Sequence, residues 1–330
     1  MNALRSENWN CPSVRNHINT GMLRQWSSPK IILVVTDLSD VESIQFHTIQ
    51  HARPGAAKVL LVEASGRSNV PARAQNLHRK RSIGSIHTAS DTAGGMASHL
   101  RRFAIDCEPV FVRGLEAEEI PSIARSCSAD RVLVSAPLDK DPSAHKSVAD
   151  RIIDDLEIPV CVVGRDLSLF SRYQRPSRRI TLALSLHGRN EIPIAFSSRL
   201  AQENHSQLTI MHVFPKGTGN RRRMEEMQTS FVSCLPSVIL KEAQLLCPVG
   251  IAIREGDPTA EILNYEAQLN QDFLVLAPSR EGDLIGLGVG AVRRIIREAR
   301  CPVIVLGEQA DAHDGSRRVA QELCSARGQL

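Results

Sequence analysis

VRGLEAEEIPSIARSCSADRVLVSAP, residues 112–137, is written a second time in the same chain, with wear, as REGDPTAEILNYEAQLNQDFLVLAP, residues 254–278. Gly114 falls on Gly256 and Asp130 on Asp272, both 142 positions apart. Toward the C-terminus, SVADRIIDDLEIPVCVVG (147–164) matches AVRRIIREARCPVIVLG (291–307), with Pro159 on Pro302 at a spacing of 143. Toward the N-terminus, KIILVVTDLS (30–39) matches RITLALSLH (179–187), with Asp37 on Ser185 at a spacing of 148. A self-match carried through three separated segments means a duplicated structural unit. Because the spacing shrinks by six along the chain, the first half carries extra residues. The polar stretch 65–98, rich in Ser, Arg, Gly and Ala, is where they fall; it reads as a loop leading into or interrupting a helix.

Within each half, short β-branched runs alternate with longer amphipathic ones. Strands are predicted at 31–36, 58–63, 108–113, 131–135 and 160–163, then at 180–184, 207–214, 249–254, 273–277 and 303–306. Helix-period segments lie between them, such as 117–126 and 260–269, with Ile or Leu three and four residues apart. Strands apolar on both faces and separated by helices imply a parallel sheet covered on both sides. The right-handed crossover then makes each half a doubly wound α/β unit. Composition sets the boundaries: an N-terminal extension 1–29, a first domain 30–164, a polar linker 165–178 containing Pro176, a second domain 179–307, and a charged tail 308–330.

At 330 residues, 42% hydrophobic and 23% charged, the chain is ample for two packed cores and is neither disordered nor fibrous. Forty basic against 36 acidic residues leave a net charge of +4. The basic clusters 73–81, 172–179 and 221–223 contain a single aromatic, Tyr173, so no nucleic-acid partner is expected. Eight cysteines show no CxxC pair, which speaks against metal or disulfide frameworks; Cys161 and Cys301 read as small buried hydrophobes in a reducing compartment. No apolar run reaches the roughly 18 residues of a membrane span, and residues 1–29 lack a continuous apolar core, so a cytoplasmic protein without membrane contact is expected.

With the duplicated elements placed, the chain resembles a tandem universal stress protein of the UspA superfamily over about residues 29–307. The resemblance is carried by VVTDLSD after the first strand, by VRGLEAEEI and REGDPTAEI after the third, and by SVADRIIDDLEIPVCVV and AVRRIIREARCPVIVL through the last helix and strand. It implies two tandem doubly wound five-stranded parallel-sheet domains, Rossmann-like and adenine nucleotide alpha hydrolase-like. It also implies that they pair as an intramolecular pseudo-dimer, 160–163 against 303–306. Edge chemistry agrees, because an unpaired apolar final strand is an aggregation hazard and covalent linkage raises the partner's effective concentration.

The same resemblance defines what a nucleotide site needs: a G-x2-G-x9-G-[ST] loop after the fourth strand and an acidic residue at the end of the first. Glycines let amides close on phosphates at a helix N-terminus. The second half places Ala277, Arg280, Gly290 and Ala291 at those four positions, and Ser185 in place of the acid. The first half keeps Asp37, followed by Ser39. There, however, Ser135 and Leu138 replace the first two glycines, Lys146 precedes Ser147 where the last belongs, and Asp139 and Asp141 would repel phosphate. Each half thus keeps a different fragment, in a different crevice. The candidate cofactor-binding residues are Asp37, Ser39 and Ser147 in the first half and Arg280, Gly286, Gly288, Gly290 and Arg293 in the second. There GDLIGLGVGAVRR (282–294) offers an alternative anion loop. His187 stands at the mouth of the second crevice, and His212 reads as a satisfied strand-end histidine.

No Ser/His/Asp or Cys/His constellation falls at the strand ends, and the acid pairs Glu118–Glu119 and Asp154–Asp155 read as solvated helix faces. The expected function is therefore a noncatalytic stress-response or regulatory protein with degenerate ATP-binding loops and no firmly bound cofactor. Its protein partners are unspecified, and further homodimerisation is allowed. The alternative is a nucleotide- or anion-binding sensor, or slow ATPase, using the Gly-rich loop of the second half. Fold analogy alone adds an enzyme of the wider adenine nucleotide alpha hydrolase-like group.

Overall fold

Among the described residues ten strands form one sheet, and their bounds follow the apolar runs closely. The computed structural model describes residues 29–36, 41–54, 56–63, 93–110, 117–136, 147–155, 158–164, 178–184, 191–214, 216, 225, 229, 247–269, 271–278 and 287–307. In chain order the first half contains β1 (Ile31–Thr36), α1 (Val41–Ala52), β2 (Lys58–Glu63), α2 (Ala93–Arg102), β3 (Cys107–Val110), a 3₁₀ turn (Ala117–Glu119), α3 (Ile120–Ser126), β4 (Arg131–Ser135), α4 (Val148–Asp155) and β5 (Val160–Val163). The second contains β6 (Arg178–Ala183), α5 (Glu191–Glu203), β7 (Ser206–Phe214), β8 (Val249–Glu255), α6 (Pro258–Leu269), β9 (Phe273–Leu276), α7 (Val289–Glu298) and β10 (Val303–Val305).

The strand order is β3-β2-β1-β4-β5-β10-β9-β6-β7-β8, the same five-strand arrangement read outward in both directions from the centre. Every neighbouring pair is parallel except β5 with β10, which run antiparallel with Cys161 opposite Ile304. Side chains alternate between the two faces, as the pleat requires. Ile32, Val34, Leu133 and Cys161 join α1, α2 and α5 in one core. Leu33, Val35, Val134 and Val162 join α3, α4, α6 and α7 in the other. Both cores continue across the β5–β10 junction, since each holds residues of both halves.

The duplicated aspartates have a structural cause. Asp130 Oδ2 accepts the backbone N–H groups of Lys30 (2.8 Å) and Ile31 (2.9 Å), tying the start of β4 to the start of β1. Asp272 Oδ2 does the same for Arg179 N (2.7 Å) at β9 and β6. The turns after α1 and α5 repeat too: Ala56 (φ 50°) and His205 (φ 49°) occupy the left-handed region at equivalent places.

Three strand starts differ from the sequence reading, β7 by a single residue at Ser206. β6 begins at Arg178 rather than 180, because Arg178 pairs with Ser206 and its Nη1 donates to Asn204 Oδ1 at 2.9 Å; polarity hid this residue in the linker. β3 begins at Cys107, and the remainder of its predicted run, 111–113, lies outside the described residues. So do residues 1–28, most of 65–98, 165–177 and 308–330.

Candidate functional site

In a doubly wound sheet, ligands sit beyond the carboxyl ends of the strands where the order reverses, here between β1 and β4 and between β6 and β9. The first crevice is floored by Thr36 and Ser135 at the ends of β1 and β4. Ala136 N donates to Val163 O at 2.8 Å, drawing the chain toward β5 as it leaves β4. The Ser135 hydroxyl is shielded from solvent and has no hydrogen-bond partner among the described residues.

The helix that would receive a phosphate there is α4, and its N-terminus is already served. Ser147 Oγ accepts from Asp150 N at 3.1 Å. In return, Asp150 Oδ2 accepts from Ser147 N (3.1 Å) and Ser147 Oγ (2.8 Å). This reciprocal cap satisfies amides that would otherwise face a ligand, and it places a carboxylate at the positive end of the helix dipole. A phosphate arriving here meets a negative charge. The sequence carried the signal as S-x-x-D at 147–150, which reads equally as a loop serine or as a cap.

The second crevice is built differently. Leu184 N donates to Met211 O (3.1 Å), joining the end of β6 to β7, and Ala277 N donates to Ala183 O (3.3 Å), setting the ends of β6 and β9 side by side. His212 is buried in β7, and its Nδ1 donates to Leu184 O at 2.9 Å while the ring stands edge-on to Phe214, centroids 4.4 Å apart. The sequence suggests a satisfied strand histidine; Nδ1 is satisfied, whereas Nε2 is shielded from solvent and has no hydrogen-bond partner among the described residues. Helix α7 starts behind Gly288 (φ −66°, ψ 158°), and among the described residues no side chain caps it. Gly290 lies in its first turn, and a Cβ built there would meet open space.

Arg293 is engaged by α4. Its Nη2 donates to Asp154 Oδ2 at 2.6 Å, and its Nε lies 3.7 Å from Asp150 Oδ1. Arg297 Nη2 donates to Asp150 Oδ2 at 2.9 Å. Two of the described candidates thus meet at one carboxylate: Ser147 from its own helix and Arg293 from the other half both reach Asp150. Asp154, read from sequence as a solvated acid, is part of this network. Gly288 lies at the start of α7 apart from it, and Asp37, Ser39, Arg280, Gly286 and His187 lie outside the described residues.

Cys161 is buried, and burial pushes its thiol up to about 12 despite the opposing pull of Arg131; burial likewise raises Cys107 to about 11. Neither ionises near neutrality, so neither offers a thiolate nucleophile. Among the described residues, no helix is long and apolar enough to cross a membrane.

Residues 177–307 match the sequence model of the universal stress protein family. No curated protein matches the chain in sequence. Among solved structures, the chain is similar to a universal stress protein from Archaeoglobus fulgidus, with a TM-score of 0.60 and 16% identity over 85% of this chain and 99% of that one. It is also similar to a functionally unknown protein from Pseudomonas aeruginosa, with a TM-score of 0.54 and 13% identity over 86% of this chain and 94% of that one. At these identities the likeness is one of fold.

Proposed function

We propose that the chain is a tandem universal stress protein, a noncatalytic regulatory protein whose two units, 30–164 and 179–307, pair through β5 and β10 as an intramolecular pseudo-dimer and carry degenerate ATP-binding loops. The observation that carries the reading is the occupied N-terminus of α4, where Ser147 and Asp150 cap each other. The loss of glycine at Arg280 and of the hydroxyl at Ala291 supports the same conclusion for the second half. The protein then acts through its surfaces on protein partners in the cytoplasm, not through turnover.

Isothermal titration of the full chain with ATP and Mg²⁺ is the test. No saturation below about 1 mM is expected, equivalent to less than about 4 kcal/mol of binding free energy. Micromolar affinity, or ATP hydrolysis above a blank, defeats the reading.

One observation favours a second reading, an anion- or nucleotide-binding sensor: among the described residues no side chain caps α7, so its first amides and the positive end of its dipole are left for an anion. Gly290→Asp separates the two. An acid in the first turn is expected to stabilise the helix by about 0.3–1 kcal/mol, and it would also repel an anion. A noncatalytic protein with no ligand there gains stability and loses no binding signal. An ATP signal present in the unsubstituted chain and absent in Gly290→Asp selects the sensor.

A further inference from the structure

The two helices that flank the β5–β10 junction carry opposite charges at equivalent positions. Cys161 and Ile304 are 143 positions apart, the spacing of the last repeat segment, and they lie directly opposite each other in the antiparallel pair. A local two-fold axis therefore passes between them. Asp150 and Arg293 are also 143 apart, as are Asp154 and Arg297. The contact Arg293–Asp154 (2.6 Å) and the contact Arg297–Asp150 (2.9 Å) are thus one contact repeated by the axis, with both acids on α4 and both bases on α7.

The opposite face of the sheet repeats the pattern with other chemistry. Arg131 and Phe273 are the first residues of β4 and β9, and their neighbours β1 and β6 lie opposite them at Ile32 and Ile180. His47 and Phe196 are 149 apart, the spacing between the equivalent turn residues Ala56 and His205. The guanidinium of Arg131 sits 5.4 Å over the ring of Phe196, and the ring of His47 stands edge-on to Phe273 at 6.4 Å. These too are images of each other across the axis. One half supplies the polar member and the other the aromatic ring.

We infer that the junction is a recognition code: each half is built to accept the other half and to reject a copy of itself. The inference rests on the two-unit reading above. Had the first half met a second first half, Asp150 would face Asp154 twice, with Asp150 only 2% exposed, and Arg131 would lose its ring to a histidine. Had the second half met itself, Arg293 would face Arg297 twice. Like charges at a contact this far buried, with Arg293 and Asp154 about a quarter exposed and Arg297 14%, work against a wrong partner. The partner this surface fits is therefore an α7-type basic helix for the first half and an α4-type acidic helix for the second. A second copy of the chain is accepted only by reciprocal exchange of first with second halves.

The test uses the full chain with Asp154→Arg, with Arg293→Asp and with both together, read by thermal midpoint and by amide hydrogen exchange. Each single reversal places like charges at the junction. It is expected to speed exchange of the β5 and β10 amides by at least about tenfold while β1 stays protected. The double reversal again balances two acids against two bases, and it is expected to bring junction exchange back to within about threefold of the parent. A double variant no better than its singles in combination overturns the code, as does a single reversal that leaves the junction protected. Should a reversal prevent folding, the milder cycle Asp154→Asn, Arg293→Gln and both decides the same point: coupling between the two changes supports the code, and additivity overturns it. Free exchange of the β5 and β10 amides in the unsubstituted chain overturns the paired architecture itself, whatever nucleotide titration shows.

Discussion

Lowering the pH from 6.5 to 5 is expected to strip the chain of stability before its carboxylates begin to titrate. His47 and His51 stand one turn apart on α1, buried against the junction. Burial first, and the positive charge of Arg178 second, hold His47 down from 6.5 to about 3. Burial also holds His51 well below its ordinary value, helped by Arg131, His47 and Arg178. The hydrogen-bond network assigns the His51 tautomer. Arg131 Nη1, 2.6 Å from His51 Nδ1, can only donate, so Nδ1 accepts; the ring proton is then on Nε2, aimed at Cys161 Sγ 3.5 Å away. Protonating Nδ1 would set two donors and two positive charges against each other.

The sign follows from where the protons go. Both histidines take up a proton in the unfolded chain near pH 6.5 and resist it when folded, so the unfolded state binds more protons at every pH below that value. The stability they contribute is complete above 6.5 and falls as pH falls toward the folded value. Each contributes a slope of up to about 1.4 kcal/mol per pH unit, and two together remove a large part of a typical stability of about 5–15 kcal/mol within two units. Urea unfolding across pH 7.5 to 5 measures it, with His47→Leu expected to halve the slope at nearly constant volume. A flat profile over that window sinks the argument. Paired carboxylates do not imitate the effect, because their titration starts below about pH 5.

These histidines show where sequence reading ran out. The strands and their burial were legible because a parallel sheet covered on both sides demands continuous apolar runs, and Ile31–Thr36, Arg131–Ser135 and Phe273–Leu276 supply them. QFHTIQHA gives no such signal. A helix face bearing His47 and His51 reads as half-polar, and its burial depends on Phe273 arriving from the other half, 5.6 Å from the His51 ring. Asp154 was obscure for the same reason: whether an acid is solvated or paired depends on Arg293, 139 positions away. Ser147 was obscure for a local reason, since a serine before a helix is at once the phosphate donor of a loop and the cap of its own first turn. Asp150, three residues on, decides between them.

Asp150 is also where a single substitution should cost most. Its Oδ2 accepts from Ser147 N, Ser147 Oγ and Arg297 Nη2, and its Oδ1 lies near Arg293 Nε. Asp150→Ala removes half of a helix cap and leaves the Arg297 guanidinium, 14% exposed, without its counter-ion, while Arg293 keeps Asp154. Breaking a buried ion pair from one side costs about 3–5 kcal/mol, against at most about 1 kcal/mol for an exposed pair such as Arg294–Glu298. Asp150→Asn keeps the shape and one acceptor but loses the charge, and it is expected to cost about 1.5–3 kcal/mol. Arg297→Met should cost less than Asp150→Ala, because Asp150 retains Ser147 and the nearby Arg293, and an apolar side chain fills the space. Urea midpoints at pH 7, with Arg294→Ala as the surface control, rank the four. If Asp150→Ala loses less than about 1 kcal/mol, the carboxylate is no more than a surface charge, and the ordering above fails with it.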